Sequence, residues 1–272
     1  MAIRIWHQSF TVLEHLGGYK AALIAHFKRV ARPDTEIVLH GMQPGTYQTD
    51  YPGDDIRHAV FQYLHGMQFL AAAAAAEDES YDAFAISTLP DPALREIRAA
   101  VGIPVVGYGE SSMLLACTMG RKFGVLVFIP ELAELIADNA VRYGMANQLA
   151  GARDVGFRFR EVLQGFEDPT PVIARFRESA RRLIEQGAEV IIPGEAPLCV
   201  MLAREGVVEV DGVPVIDSLS AWIQRAETLV DLQRRGEGQA NGGGYFSSRP
   251  SPQRLRELLT FYKLRNPATA TA

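Results

Sequence analysis

Two residues in this 272-residue chain stand where a sheet protein could do chemistry: Thr88, in "YDAFAISTLPDP" from Tyr81, and Glu195, in "GAEVIIPGEAP" from Gly187. Each follows a short apolar run and precedes a helix start. Ligands of open parallel sheets bind beyond the carboxyl ends of the strands, where helix N-termini offer free N–H groups. Glu195 can take a proton as a base, or give one when protonated. A helix N-terminus would stabilise its charge, whereas burial in an apolar cleft would raise its pKa, and the sequence leaves that contest open. Thr88 offers a hydroxyl that is no base without an activating partner but can hydrogen-bond a carbonyl or an oxyanion. The competing reading of Glu195 is a plain helix cap at a degenerate site.

Other polar residues fall near the same strand ends. Gln8 and Ser9 follow the first strand, Ser87 adjoins Thr88, and Gly194 and Ala196 flank Glu195, so all five are candidate substrate contacts. Ser111 and Ser112 open a helix and read as caps that could also touch a ligand. His7 faces either the cleft or the sheet. Glu110 and Asp217 end equivalent strands and could brace the cleft, with Tyr108 at its rim. Cys117 and Cys199 lack the spacing of a zinc or redox pair and read as core residues.

Alternating strands and helices would position these groups. Strands are expected at residues 3–6, 36–40, 83–86, 104–106, 123–128, 155–162, 189–192 and 213–216. Helices are expected between them. One runs unbroken from Asp54 to about Glu77, and one opens at Asp91-Pro92 in cap-and-first-turn style. Such alternation means parallel sheet with helices on both faces.

The pattern repeats. "YDAFAISTLPDP…VGIPVVGYGES" matches "GAEVIIPGEAP…VDGVPVIDSLS", and "IRIWHQSF" matches "KFGVLVFI", at an offset of roughly a hundred residues. The fold class is therefore α/β, with two pseudo-symmetric doubly wound lobes. Each lobe is expected to hold a four-stranded parallel sheet, with the active site in the cleft between them. Lobe one takes residues 1–115 plus 217–272, and lobe two takes residues 116–216. Residues 236–246 read as a flexible linker, followed by an amphipathic helix over residues 253–262. That helix could dock on lobe one, cover the cleft or meet another subunit in a homo-oligomer; docking on its own lobe is the expectation.

Composition narrows the partner. A net charge of −5 disfavours a nucleic-acid surface and suits a small-molecule substrate. No apolar run reaches the roughly 18 residues of a membrane span, so no membrane partner is expected. No secretory signal precedes the first strand. These features lead us to expect a reduced cytoplasmic protein.

The repeat, with "DAFAISTLPDP", "IPVVGYGESSM", "GAEVIIPGEAP" and "VPVIDSLSAWIQRAETLV", resembles the aspartate/glutamate racemase superfamily, in its hydantoin racemase-like branch, over most of residues 1–235. The resemblance implies two lobes, a cleft site and no cofactor or metal. It also implies a cysteine from each lobe working on opposite faces of a carbon acid. Those cysteine positions fall on Thr88 and Glu195, so both are replaced. Stereoinversion by two bases needs a titratable group on each face, and threonine supplies none. The expectation is thus one-face proton transfer on a small carboxylate, amide or cyclic imide or ureide, of isomerase, lyase or decarboxylase type. The alternatives are a hydrolase in which Glu195 activates water, and a non-catalytic ligand-binding relative.

Overall fold

The computed structural model describes residues 2–49, 51–237 and 243–264. The first sheet holds β1 (Ile3–Gln8), β2 (Thr35–His40), β3 (Ala83–Ile86) and β4 (Val105–Gly107) in the order β2-β1-β3-β4, all parallel. Its first connection, through α1 (Gly17–Val30), runs one way. The next, through α2 (Gly53–Ile56) and α3 (Ala59–Asp78), returns across β1 to β3. That reversal opens a crevice where β1 and β3 end side by side, the switch point at which doubly wound sheets bind ligands. Six consecutive alanines of α3, Ala71 to Ala76, are buried, and their small side chains let this helix lie close on the sheet.

The second sheet repeats the order as β6-β5-β7, from β5 (Phe123–Val127), β6 (Leu149–Asp154) and β7 (Val190–Pro193). A fourth strand was expected here, and the structure corrects that count. Residues 213–216 pair with β7 at a single Ile191–Val215 bridge, with the Ile216 N–H bonded to the Ile191 carbonyl. The chain instead folds into a hairpin of β8 (Glu209–Val210) and β9 (Val213–Pro214). Asp211 and Gly212 both have positive φ, 51° and 80°, as an Asp-Gly hairpin turn requires. The hairpin draws the Val215 N–H to Val208 and away from the sheet.

Three local expectations also change. The helix expected from Asp54 breaks at His58, which is extended, leaving α2 and α3 separate. The strand expected over residues 155–162 lies earlier, at β6. After Gly156 (φ 78°) the chain enters α7 (Phe159–Gln164), so the apolar residues 155, 157 and 159 mimicked strand alternation across a turn. Asp91 does not cap the next helix, because Asp91 and Ala93 take positive φ and α4 begins at Leu94 (Leu94–Ala100).

The remaining helices are α5 (Tyr108–Met119), α6 (Leu132–Arg142), α8 (Thr170–Glu185), α9 (Ala196–Arg204), α10 (Ser218–Arg234) and α11 (Pro252–Phe261). α10 packs on β3, β4 and α5, returning the chain to the first sheet. That packing supports the proposed division into residues 1–115 with 217–272 and residues 116–216. α11 meets the end of α3 through an Arg256–Asp78 ion pair, and Arg249, just before the helix, pairs with Glu77, so this segment sits on the first lobe. The expected linker and the last stretch of lobe one fall partly outside the described residues, at 238–242 and 265–272. Among the described residues no helix is long and apolar enough to cross a membrane.

Candidate active site

Glu195 stands at the N-cap position of α9 in extended conformation, yet its carboxylate does not cap that helix. It reaches across to the end of β5 instead. There it accepts the Phe128 N–H at 3.0 and 3.1 Å on its two oxygens and the Ile129 N–H at 3.2 Å. The residue is 7% exposed. Burial pushes its pKa up to about 8, against the downward pull of the Phe128, Glu195 and Ile129 N–H groups, and Asp154 adds a smaller upward push. The contest left open by the sequence is therefore won by desolvation.

Thr88 and Glu195 line one narrow cavity. Their loops also touch: a Cβ added to Gly194 would lie 2.8 Å from a Leu89 methyl and 2.6 Å from the Leu126 carbonyl. The first lobe contributes Ser9, Thr11, Ser87 and Thr88 as a row of hydroxyls, with Tyr19 beside them. Ser9 Oγ bonds Thr11 Oγ1 at 2.8 Å and accepts the Thr11 N–H. Ser87 is 2% exposed, and its hydroxyl finds no partner within the described protein, so it is available to a ligand. Apolar walls come from Phe10, Phe128 and Phe159, and Tyr51 stacks on Phe159 at 5.2 Å with 21° between the planes. Among the lining residues Glu195 is the one charged group; none is Lys, Arg or His.

Several candidates have other tasks. Gln8 is buried and ties the strand ends together, accepting from Trp6 Nε1 at 3.0 Å and donating to the Gly41 carbonyl at 2.9 Å. Ser111 and Ser112 turn back into α5, donating to the Gly107 and Tyr108 carbonyls at 2.6 and 2.7 Å, so neither lines the cavity. Both are small polar residues one turn into a helix, where such back-bonding competes with capping. Gly194 supplies room rather than a contact, while Ala196 does line the cavity.

His7 lies against Phe27 and Trp222, away from the cavity, and burial drives its pKa down to about 3, keeping it neutral. Tyr108 is buried, its hydroxyl 3.3 Å from the Pro193 carbonyl. Glu110 is a brace: despite burial, a bidentate Arg98 pair at 2.9 and 2.6 Å holds its pKa low. Asp217 accepts the Ser220 N–H at the start of α10 and pairs with His26 at 3.2 Å. Burial pushes the Cys199 thiol up to about 12, with the Asp217 charge adding to it, so this cysteine stays an inert thiol near neutral pH.

Sequence reasoning missed the amide cradle at Phe128 and Ile129. The repeat contained the signal, since "KFGVLVFI" sets these residues against Ser9 and Phe10. It also missed the aromatic walls and the true partners of Asp91.

Comparison with known proteins shows the family and the fold. The family model described as Asp/Glu/Hydantoin racemase matches residues 19–226. A hydantoin racemase of Pseudomonas sp. (strain NS671) is 31% identical over 213 residues, covering 76% of this chain and 79% of the relative. A hydantoin racemase of Rhizobium meliloti is 29% identical over 182 residues, 64% of this chain and 66% of its own. The solved allantoin racemase from Klebsiella pneumoniae shares the fold, with TM-score 0.72 and 23% identity over 92% of this chain and 94% of that one.

Proposed function

The chain belongs to the Asp/Glu/hydantoin racemase family, and on that premise we propose that it is a cofactor-independent enzyme in which Glu195 moves a proton on one face of a small, uncharged carbon acid. The observation that carries this reading is the Glu195 carboxylate, buried on two backbone N–H groups in a cavity whose other polar side chains are all hydroxyls. Deprotonation beside a carbonyl creates an enolate oxygen, and Ser87 and Thr88 are the donors on the first lobe that can meet it. Glu195 apart, the lining holds no basic or acidic side chain to activate Thr88, so this reading gives the opposite face no second base.

The same lining bears on the substrate. A carboxylate placed beside Glu195 would bring two negative charges together with no cation to offset them. An amide or a cyclic imide or ureide avoids that cost, and its substituent can lie among Phe10, Phe128 and Phe159. This disfavours decarboxylation, whose substrate must carry the carboxylate, and leaves isomerase- or lyase-type proton transfer.

Glu195→Gln tests the role. The amide keeps the size and can still accept from Phe128, so binding of a 5-substituted hydantoin by calorimetry is expected to persist. Proton exchange at its ring carbon is expected to fall by at least about a hundredfold. A fully active Glu195→Gln protein would remove Glu195 from the mechanism.

A further inference from the structure

The loop that carries Thr88 is held in an unusual way. Residues 88–91 form a turn closed by the Asp91 N–H to Thr88 carbonyl bond at 3.2 Å. Asp91 (φ 49°) and Ala93 (φ 53°) are non-glycine residues in left-handed backbone, which persists only where surroundings enforce it. Asp91 is buried, and its carboxylate accepts three bonds: the Gly109 N–H at 3.0 Å, the Glu110 N–H at 2.7 Å and the Tyr143 hydroxyl at 2.8 Å. The first two come from the start of α5, and the third from the end of α6 in the second lobe. A second bond from α6, Asn139 Nδ2 to the Pro90 carbonyl at 3.0 Å, grips the next residue.

Space for this arrangement is built in. A Cβ on Gly107 would lie 2.7 Å from the Asp91 carboxyl, and one on Gly109 would lie 2.5 Å from the Leu89 carbonyl. The glycines of "GYGE" are thus needed where the loop approaches α5. The Thr88 turn is bonded to the second lobe while Leu89 rests near Gly194, next to Glu195.

We propose that Asp91, Tyr143 and Asn139 form an interlobe clamp whose task is to position Thr88 opposite Glu195. None of the three lines the reaction cavity, so they are positioning residues that act through the Thr88 turn. Tyr143 and Asn139 supply the second-lobe half of the clamp. Their two bonds register the hydroxyl row of one lobe against the base of the other. Misplacing a contact by about 1 Å can cost on the order of a hundredfold in rate, so such a device belongs at this loop. The catalytic part of this inference rests on the proposed roles of Thr88 and Glu195; the clamp itself does not.

Tyr143→Phe tests it, because the ring is kept and only the donor is lost; Asn139→Ala serves as a second, independent variant. Hydrogen–deuterium exchange needs no substrate. Both variants are expected to speed exchange in peptides carrying Asp91 and Leu94, by about threefold or more, while peptides of β5 and β7 stay at wild-type rates. Unchanged exchange at the turn in both variants overturns the clamp. With a 5-substituted hydantoin as probe, kcat for ring-proton exchange is expected to fall about tenfold or more, with KM within about twofold. An unchanged kcat in a variant whose turn has loosened overturns the positioning role. Failure of the functional reading would show differently, as absence of exchange activity in the wild-type enzyme.

Discussion

At Glu195 two forces act on one carboxylate. Burial favours the neutral acid, while the Phe128 and Ile129 N–H groups favour the anion, and the balance lies near pH 8. A base must be ionised to work. The rate of proton abstraction is therefore expected to rise with pH through about 8 and then level off, and a kcat/KM profile checks this. Activity that falls as pH passes 8 would mean that Glu195 acts as an acid. Stability runs the other way. The folded pKa, about 8, lies above the ordinary 4.5, so the folded state holds a proton that the unfolded state releases between those values. The stabilisation is full below about pH 4.5 and is lost as pH rises through 8. Asp91, pushed up to about 7 mainly by burial, has the same sign. Glu195→Gln removes the cost of a buried anion. Its melting temperature is expected to exceed the wild type's at pH 9 and to match it near pH 4.5, as calorimetric scans at both pH values would show.

Elements carry a different lesson. The strand–turn–helix units around Thr88 and Glu195 were legible because apolar runs, Pro and Gly punctuate them strongly. β6 was not, since its partly exposed residues lack a clean pattern while the apolar residues after it alternate across a turn. The Asp-Gly hairpin was written in the sequence but hidden by the match of Val213-Pro214-Val215 to the strand at Pro104. Gly194 shows why a small residue precedes Glu195. Any Cβ there meets the Leu126 carbonyl at 2.6 Å, and backbone cannot yield as a side-chain tip does. Gly194→Ala is expected to cost roughly 1–3 kcal/mol by overpacking and to displace the Glu195 turn. Denaturant melts and the loss of proton exchange would register the two effects. A Gly194→Ala protein of wild-type stability would contradict the tight packing of the two loops.

For the whole molecule, the duplication is the organising fact. Two sheets with matching order, β2-β1-β3-β4 and β6-β5-β7 plus the Val215 bridge, bring equivalent strand ends to one cavity. Of the residues the sequence singled out, Thr88, Glu195, Ser9, Ser87 and Ala196 line that cavity. Gln8, Ser111 and Ser112 bond backbone carbonyls instead and lie outside the lining, because a polar residue near a strand end has backbone partners as well as ligands to choose from, and residue type does not decide between them. The amides of Phe128 and Ile129 escaped notice for a related reason: a backbone N–H leaves no mark on residue type.

A lobe that ends in Thr88 where its relatives' resemblance calls for a second base should move protons on one side of the substrate only. The direct measurement is incubation of an enantiopure 5-substituted hydantoin with the enzyme in deuterated water, following deuterium at the ring carbon and optical rotation together. Deuterium is expected to enter well ahead of any loss of rotation, and Glu195→Gln is expected to stop it. Rotation lost as fast as deuterium enters would reveal a base on each face and contradict a site built on Glu195 alone.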